Sequence, residues 1–174
     1  MKALPVVPKL LSPYELGRIE AALDGEGCIG LHKEKIKGSK YRNHVRYREH
    51  VSISNTSPDF IRKARQIIGS ATTWRATRQR GGRYEREKPI YRLLLSAGTI
   101  RWLFPQLSLS VKDRQRHLLL EVMQIKDSRE KRGRFAPYTK DERYRFELIR
   151  RQLRRLNRRG VWEVGRKKKR MVRA

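Results

Sequence analysis

Apolar and polar residues alternate along residues 45–54, which is the pattern of a half-buried β-strand. One face of this strand is predicted to carry Val45, Tyr47, Val51 and Ile53. The other face is predicted to carry basic and hydroxyl side chains, and Glu49 interrupts the apolar face. A shorter alternation, with Ile29 and Leu31 on one face, predicts a second strand just before it.

Capping residues mark the starts of several helices. Ser12-Pro13 and Ser57-Pro58 each place an N-cap residue before proline at the first helical position. Thr139 and Glu142 have the spacing of a capping box. Ser110 is predicted to cap the helix that follows it.

The predicted elements follow one another as helix, strand, strand, helix, strand, strand, helix and then a C-terminal helical extension. This order indicates an α+β protein with one four-stranded sheet, mixed or antiparallel, whose apolar face meets the helices. The opposite face carries Arg, His and Ser, and such a sheet suits the major groove of DNA. We divide the chain into an N-terminal arm (1–11), a core domain (12–126), a C-terminal helical extension (127–160) and a basic tail (161–174).

The charge balance indicates a polyanionic partner. The 174 residues include 44 Lys and Arg against 17 Asp and Glu, a net charge of +27 that far exceeds what solubility requires. Nucleic acid is the first candidate, and a membrane is not favoured because no apolar run approaches the roughly 18 residues of a spanning helix. Cys28 is the only cysteine, which excludes an internal disulfide and a cysteine-based zinc cage. We expect a reducing compartment, either the bacterial cytoplasm or an organelle such as a chloroplast or mitochondrion.

The end of the first predicted helix reads DGEG over residues 24–27. Small residues recur every four positions at Gly17, Ala21 and Gly25, which lets a second backbone approach closely. If the partner is the same helix of a second copy, two Glu26 carboxylates lie close together and repel each other. A divalent cation between them removes this repulsion, and carboxylates with carbonyls and water suit Mg²⁺. The pattern therefore predicts a homodimer whose interface carries a metal site.

Three segments resemble the LAGLIDADG homing endonuclease family. The stretch IEAALDGEGCI is similar to the signature helix of that family. VSISNTSPDFIRKARQIIG resembles its second strand and helix, and LFPQLSLSVKDRQRHLLLEVM resembles its later Pro-x-Leu…Lys-x-x-Gln segment and helix. The resemblance covers residues 12–126 in the right order, and the signature occurs once, as in the homodimeric members.

The resemblance implies both a fold and an activity. The fold is an αββαββα core with a curved four-stranded antiparallel sheet and helices on one face. The activity is site-specific hydrolysis of double-stranded DNA by a homodimer at a long near-palindromic site. The implied cofactor is Mg²⁺, with Mn²⁺ or Ca²⁺ also able to occupy the site.

The family's functional residues carry over to matching positions. Glu26 matches the metal-binding acid, and Gly25 matches the residue whose backbone carbonyl assists it. Asn55 falls where the family places a polar residue that orders the water nucleophile, although an Asn at this position is also a natural turn former. Lys112 matches the basic residue near the scissile phosphate. For Asp24 we expect a structural role at the helix end.

The polar faces of the predicted strands supply the DNA contacts. Their alternation with apolar residues favours contact with bases or phosphates, and the sequence does not decide between the two. The predicted DNA-binding residues are His32, Glu34, His44, Arg46, Arg48, His50, Ser52, Arg75, Thr77 and Arg92. The histidines have no metal-ligand spacing, so a zinc site is not predicted. The arginine run at 150–159 is either the solvated side of an amphipathic helix or a DNA-backbone contact.

Two features depart from the family, and two other functions remain open. Glu20 stands where the family normally has a small residue in the packed interface, and a buried Glu there needs a partner. Ala21 replaces the usual glycine. An intron-RNA splicing maturase and a non-cleaving DNA-binding regulator are the alternatives on this fold. The presence of Glu26 with Lys112 argues against the regulator, and nothing in the sequence excludes the maturase.

Overall fold

The computed structural model describes residues 10–35, 45–69, 72–77, 89–130 and 136–157. These residues form the elements α1 (Pro13–Glu26), β1 (Gly27–Lys35), β2 (Val45–Asn55), α2 (Pro58–Ile68), β3 (Thr72–Thr77), β4 (Ile90–Leu95), α3 (Ala97–Leu103), α4 (Asp113–Glu130) and α5 (Lys140–Asn157). A single 3-10 turn at Phe104–Gln106 follows α3. The predicted α+β class and the predicted order of elements are confirmed. His44 and the basic tail lie outside the described residues.

The strands form one sheet in the order β1-β2-β4-β3. β2 pairs antiparallel with β4, where Ser54 lies opposite Arg92. β3 also pairs antiparallel with β4, where Arg75 lies opposite Arg92. Because directly opposed residues lie on the same face of a sheet, these three positions form a polar row across three strands.

The local signals for the starts of α1, α2 and α5 are confirmed. Ser12 accepts a hydrogen bond from the Glu15 backbone, and the Glu15 carboxylate accepts one from the Ser12 backbone in return. Ser57 caps α2 through the Phe60 amide, and Gly69 ends that helix at a φ of 94°. Thr139 and Glu142 form the predicted capping box of α5.

The prediction that Ser110 caps the next helix is wrong. α4 begins at Asp113. The Ser110 backbone N–H donates to the Asp24 carboxylate at 2.8 Å instead. A contact with α1, distant in the sequence, therefore holds the Ser110 amide, and the helix starts three residues later.

The chain divides into two compact units, each with its own buried side chains. The first unit comprises residues 1–28 and 51–113, and the second comprises residues 29–50 and 114–174. In the first unit α2 packs against α1 and β4. Its fully buried side chains include Ile19, Leu23, Ile53, Ile61, Leu93 and Ile100. In the part of the chain that the structure describes, no helix combines the length and apolar character that crossing a bilayer would require.

In the second unit, α5 is held against β2 by a ring stack and one carboxylate. Phe146 stacks on Tyr47 with ring centroids 4.6 Å apart. Glu147 Oε1 accepts a hydrogen bond from the Tyr47 hydroxyl at 2.9 Å and pairs with Lys33 Nζ at 2.5 Å. Glu147 Oε2 pairs with Arg150 at 2.9 Å. Both oxygens of this carboxylate are therefore occupied by donors within the same unit.

These contacts shift the pKa values of the groups that make them. Burial, followed by the hydrogen bond to Glu147, raises the pKa of Tyr47 to about 12. Burial alone would raise the pKa of Glu147, but hydrogen bonds from Lys33 and Tyr47 outweigh it and lower that pKa below its usual value. Glu147 is therefore held as a carboxylate.

Glu49, which interrupts the apolar alternation of β2, is buried at 8% exposure. Its carboxylate pairs with Lys126 Nζ of α4 at 2.5 Å. Removing either partner would leave a buried charge uncompensated, which is strongly destabilising. The polar residue in the apolar pattern is therefore an ion-pair position rather than an end of the strand.

Candidate active site and nucleic-acid interface

Two of the three acidic residues in the second half of α1 are occupied by backbone donors. Glu20 Oε1 accepts a hydrogen bond from the Ser108 N–H at 2.5 Å. The Asp24 carboxylate accepts from the Ser110 N–H at 2.8 Å and from the Lys112 N–H at 2.9 Å. The segment 108–112 is thus tied to α1 at alternate residues. The expected structural role of Asp24 fits this geometry, and Glu20 has the partner that its position required.

Glu26, the last residue of α1, is exposed. It makes no hydrogen bond or ion pair with any residue that the structure describes. Among those residues no group of three His, Cys, Asp or Glu side chains is placed to hold a metal ion. Within the described part of the chain, the Glu26 carboxylate therefore has no closed cage of protein ligands around it. This suits Mg²⁺, which usually keeps several waters and binds through one or two carboxylates plus substrate phosphates.

Gly27 fixes the direction in which the chain leaves α1. Its N–H donates to the Leu23 carbonyl as the helix cap. A Cβ at this position would overlap the backbone of Leu23, so no larger residue fits without a shift. The second glycine of DGEG is therefore required by a close backbone approach directly after Glu26.

Lys112 is held at the same end of α1. Its Nζ donates to the Leu23 carbonyl at 2.6 Å and to the Asp24 carbonyl at 2.8 Å. A cation here is favoured by the negative end of the helix dipole. Burial lowers the pKa of Lys112, and the charges of Asp24, Cys28 and Glu26 oppose that shift. An ammonium has three N–H donors, and two of those of Lys112 are used by acceptors that the structure describes.

Asn55 lies at the end of β2 and takes part in a local turn. Its Oδ1 accepts a hydrogen bond from the Ser57 N–H at 2.8 Å, directly before α2. An Asn side chain that accepts a backbone N–H two residues later mimics a backbone turn, so Asn55 acts here as a turn former. Its role in ordering a water nucleophile stays a prediction.

The even positions of β2 carry the predicted reading residues Arg46 and Arg48, and both are exposed. The ring of His50 stacks on the ring of His32 with centroids 4.4 Å apart. Glu34, two residues after His32 on β1, is also exposed. These side chains of the second unit are therefore accessible to a partner.

In the first unit, two members of the polar row, Arg92 and Ser54, contact each other. Arg92 Nε donates to Ser54 Oγ at 3.1 Å. In the strand register Arg75 lies opposite Arg92, and Thr77 lies opposite Ile90. Ser52 is the exception among the predicted DNA contacts, because it is 2% exposed and opposes Leu94 in the register. A buried hydroxyl cannot reach a base from this position.

The sequence did not predict the hydrogen bonds by which the Glu20 and Asp24 carboxylates hold the backbone of residues 108–112. The only available signal was the pair of acids at positions four apart, which lie on one face of a helix. That spacing says nothing about which distant backbone will meet them.

No protein-family model matches the sequence, and no curated protein matches it. The structure is similar to the archaeal intron-encoded homing endonuclease I-Vdi141I in complex with DNA, at a TM-score of 0.61 and 14% identity, over 84% of this chain and 86% of that one. It is similar to the homing endonuclease I-TnaI at a TM-score of 0.56 and 14% identity, over 80% and 92% of the two chains. It is also similar to the DNA-bound LAGLIDADG meganuclease I-AabMI at a TM-score of 0.56 and 12% identity, over 76% of this chain and 44% of that one. The chain therefore has the LAGLIDADG homing-endonuclease fold, as the sequence predicted.

Proposed function

We propose that this protein is a divalent-metal-dependent endonuclease that cuts double-stranded DNA at a long, specific site as a homodimer. The observation that carries the proposal is the contrast among the acids of α1. Glu20 and Asp24 are used to hold residues 108–112, whereas Glu26 is exposed and makes no hydrogen bond or ion pair with the described residues. A carboxylate left free beside a held lysine is suited to metal and phosphate chemistry.

Each residue at the end of α1 has a role in this mechanism. Glu26, assisted by the Gly25 carbonyl, would hold the metal. A bound Mg²⁺ supplies charge stabilisation for the incoming and leaving oxygens of the phosphodiester. The Lys112 ammonium, fixed by two carbonyls, directs its remaining N–H toward negative charge that develops on the phosphate. Asp24 acts as a positioning residue, because it holds the backbone of Lys112.

The proposed homodimer places two such helix ends together. Gly17, Ala21 and Gly25 form an exposed face of α1. Apart from the chain neighbours and the nearby backbone of α1 itself, no described atom lies within 4 Å of a Cβ built at Gly17 or Gly25, so the face has room for another backbone. Pairing through this face would bring one Glu26 from each copy to the dyad, which supplies a second carboxylate beside the first.

The proposed target follows from the sheet. Arg46, Arg48, His32 and Glu34 are exposed donors and acceptors on the second unit, and similar structures were solved with DNA. Two such surfaces in successive major grooves span about 20 base pairs with near-palindromic halves. Base contacts in the major groove would set specificity, and phosphate contacts would set position.

A cleavage selection tests the proposal. The protein is incubated with Mg²⁺ and duplexes randomised across the expected site, and the ends of the products are sequenced. We expect staggered double-strand cuts at a near-palindromic sequence, and no cuts when the metal is chelated. Tight, specific binding without cleavage in Mg²⁺, Mn²⁺ or Ca²⁺ would contradict the proposal and favour a regulator.

Sedimentation of the Ala21→Leu variant tests the dimer. Added bulk between two close backbones typically costs about 1–3 kcal/mol, so the variant should dissociate at concentrations where the wild type is dimeric. Arg18→Leu is the control for the leucine itself, because it places a leucine at an exposed position of the same helix outside the Gly17, Ala21 and Gly25 face. An unchanged dimer in Ala21→Leu would exclude this interface.

A further inference from the structure

The guanidinium of Arg92 is held by a neutral hydroxyl rather than by a carboxylate. Arg92 Nε on β4 donates to Ser54 Oγ on the adjacent strand β2 at 3.1 Å. Arg62 of α2, by contrast, pairs with the Asp59 carboxylate. A carboxylate partner compensates the charge of an arginine, whereas a hydroxyl only orients it. Arg92 therefore keeps its charge while one edge of its guanidinium is fixed.

The terminal nitrogens of Arg92 have no acceptor in the described part of the chain. Arg92 is exposed, and its hydrogen bond to Ser54 is its only polar contact with the residues that the structure describes. A guanidinium carries five N–H donors in a planar fork. With Nε bonded to Ser54, the N–H groups on both Nη atoms are available to a partner that offers two acceptors side by side.

Arg92 and Ser54 lie on the face of the sheet opposite the buried core of the first unit. The residues next to them in the sequence, Leu93 and Ile53, oppose each other in the register and are both 0% exposed. Because side chains alternate along a strand, Arg92 and Ser54 lie on the other face. β4 pairs with β2 on one side and β3 on the other, so Arg92 is interior to this face. When such a face enters a groove, its interior positions lie over the base edges.

The available donors of Arg92 match the edge of one base. In the major groove guanine presents two acceptors, N7 and O6, whereas adenine and cytosine each present a donor and thymine a methyl group. A guanidinium has donors only, so guanine is the base that accepts from both Nη atoms at once. The two acceptors lie in the plane of the base pair. The orientation that Ser54 imposes therefore suits a base better than a phosphate, which accepts from many directions.

We propose that Arg92 reads a guanine in the major groove of the target duplex, and that Ser54 is the positioning residue that orients the Arg92 guanidinium for this contact. The proposal rests on the proposed function, in which double-stranded DNA is the substrate, and it names a base that the target contains. In the proposed homodimer this guanine occurs once in each half-site. Fixing Arg92 before binding reduces the rotamer freedom that is lost in the complex.

Binding selections on randomised duplexes test the base assignment. The full chain is used with the metal chelated, so that binding is measured without cleavage. The wild type should prefer guanine at one position of each half-site by about 5- to 150-fold, the range for one good bidentate contact. Arg92→Ala should lose the preference at that position alone. Arg92→Lys should lose most of it, because an ammonium keeps the charge but has no planar fork.

Arg65→Ala is the matched control for the loss of one positive charge. Arg65 is an exposed arginine of α2, and the contact that its backbone makes with the Gly69 N–H does not involve the side chain. This variant should keep the guanine preference. Circular dichroism and thermal melting establish that each variant is folded.

A single-atom change in the DNA tests the contact directly. In 7-deazaguanine a C–H replaces N7, which removes one acceptor and leaves base pairing intact. Placed at the selected guanines, it should lower the affinity of the wild type by about 10-fold or more, as for a lost hydrogen bond to a charged group. The affinity of Arg92→Ala should be the same for both duplexes.

Ser54 variants test the positioning role. Ser54→Ala should reduce the guanine preference by about 2- to 10-fold, the scale of one neutral hydrogen bond. The dependence of affinity on salt should not change, because no charge is lost. Ser54→Thr keeps a hydroxyl and should restore the preference. A purely structural role for Ser54 would weaken binding to all sequences equally.

Several results would overturn the proposal. An unchanged guanine preference in Arg92→Ala, or an equal effect of 7-deazaguanine on both proteins, would exclude the base contact. A uniform loss of affinity in Arg92→Ala, with a salt slope shallower by about 0.9, would place Arg92 on a phosphate. A full preference in Ser54→Ala would exclude the positioning role.

The outcomes also separate this proposal from the proposed function. Specific cleavage by a wild type whose base preferences survive in Arg92→Ala would refute the guanine contact and leave the endonuclease standing. Guanine-dependent binding through Arg92 without cleavage in any divalent metal would do the reverse. A protein that binds no duplex DNA would overturn both.

Discussion

Glu26 and Glu147 are both helical glutamates in a strongly basic chain, and their surroundings differ completely. Glu147 receives Tyr47 and Lys33 on one oxygen and Arg150 on the other. Glu26 ends α1 exposed, without a hydrogen bond or ion pair to any residue that the structure describes. With 44 basic residues against 17 acidic ones, a carboxylate without a partner is the exception. The contrast separates an acid that holds the fold from an acid that is free for chemistry.

The sharpest test of this contrast is Glu26→Gln. The amide has the shape of the carboxylate and lacks the charge that would hold the proposed metal, so cleavage should fall below detection. The free energy of unfolding should change by no more than about 0.5 kcal/mol, as for surface substitutions that break no contact. Single-turnover cleavage at saturating protein and urea unfolding measure the two quantities.

Glu130→Gln is the control for that variant, because Glu130 is also an exposed glutamate at the last residue of a helix. It should cleave normally. Wild-type cleavage in Glu26→Gln, or an equal loss in both variants, would remove the distinction between the two kinds of acid.

Asp24→Asn should produce a smaller loss of the cleavage rate. The amide keeps one acceptor but turns an NH₂ toward either the Ser110 or the Lys112 N–H. A displaced Lys112 slows the reaction by up to about 100-fold, the scale of a 1 Å misplacement, with duplex affinity nearly unchanged. Glu20→Gln is the control, because its retained oxygen still accepts from Ser108. A large affinity loss with an unchanged saturated rate would contradict a positioning role.

Glu147→Ala should affect stability and leave the cleavage chemistry intact. It removes the acceptor of the Tyr47 hydroxyl and the partner of Lys33 and Arg150. Leaving a part-buried donor without an acceptor costs about 1–3 kcal/mol, which urea unfolding can measure. In the double variant with Tyr47→Phe, part of that loss should be recovered. A stable Glu147→Ala protein would mean that the carboxylate does not hold α5.

The smallest effect is the pH dependence of that stability. The pKa of Glu147 is lowered from its usual 4.5 in the folded protein. Its stabilising contribution is therefore present above pH 4.5 and is lost as the pH falls through the folded pKa. The difference in unfolding free energy between wild type and Glu147→Gln should shrink below pH 4.5. Parallel curves through this range would contradict the assignment.

The sequence predicts the elements of this fold well where the signals are local. Ser12, Ser57 and Thr139 each accept a hydrogen bond from an amide three residues later, so their caps can be read from the sequence. The Ser110 prediction fails because the partner of its amide, Asp24, lies 86 residues earlier. Capping preferences contain no information about such a contact.

The candidate site is predictable only in part for the same reason. Within DGEG, Asp24 and Glu26 are equivalent as residue types, and the resemblance to a family was needed to assign them. What distinguishes them physically is that the backbone of residues 108–112 arrives at Asp24 and not at Glu26. Ser52 illustrates the opposite failure, because strict alternation predicts an accessible side chain where the packing leaves it 2% exposed.

The buried Glu49–Lys126 pair also affects which register β2 adopts when the sheet forms. A shift of β2 by one residue would turn Glu49 toward solvent and place Arg48 or His50 in the apolar layer. Lys126, whose side chain is 15% exposed, would then meet another basic group instead of a carboxylate. The pair therefore raises the free energy of a misregistered strand, and correct assembly keeps Arg46 and Arg48 on the outside.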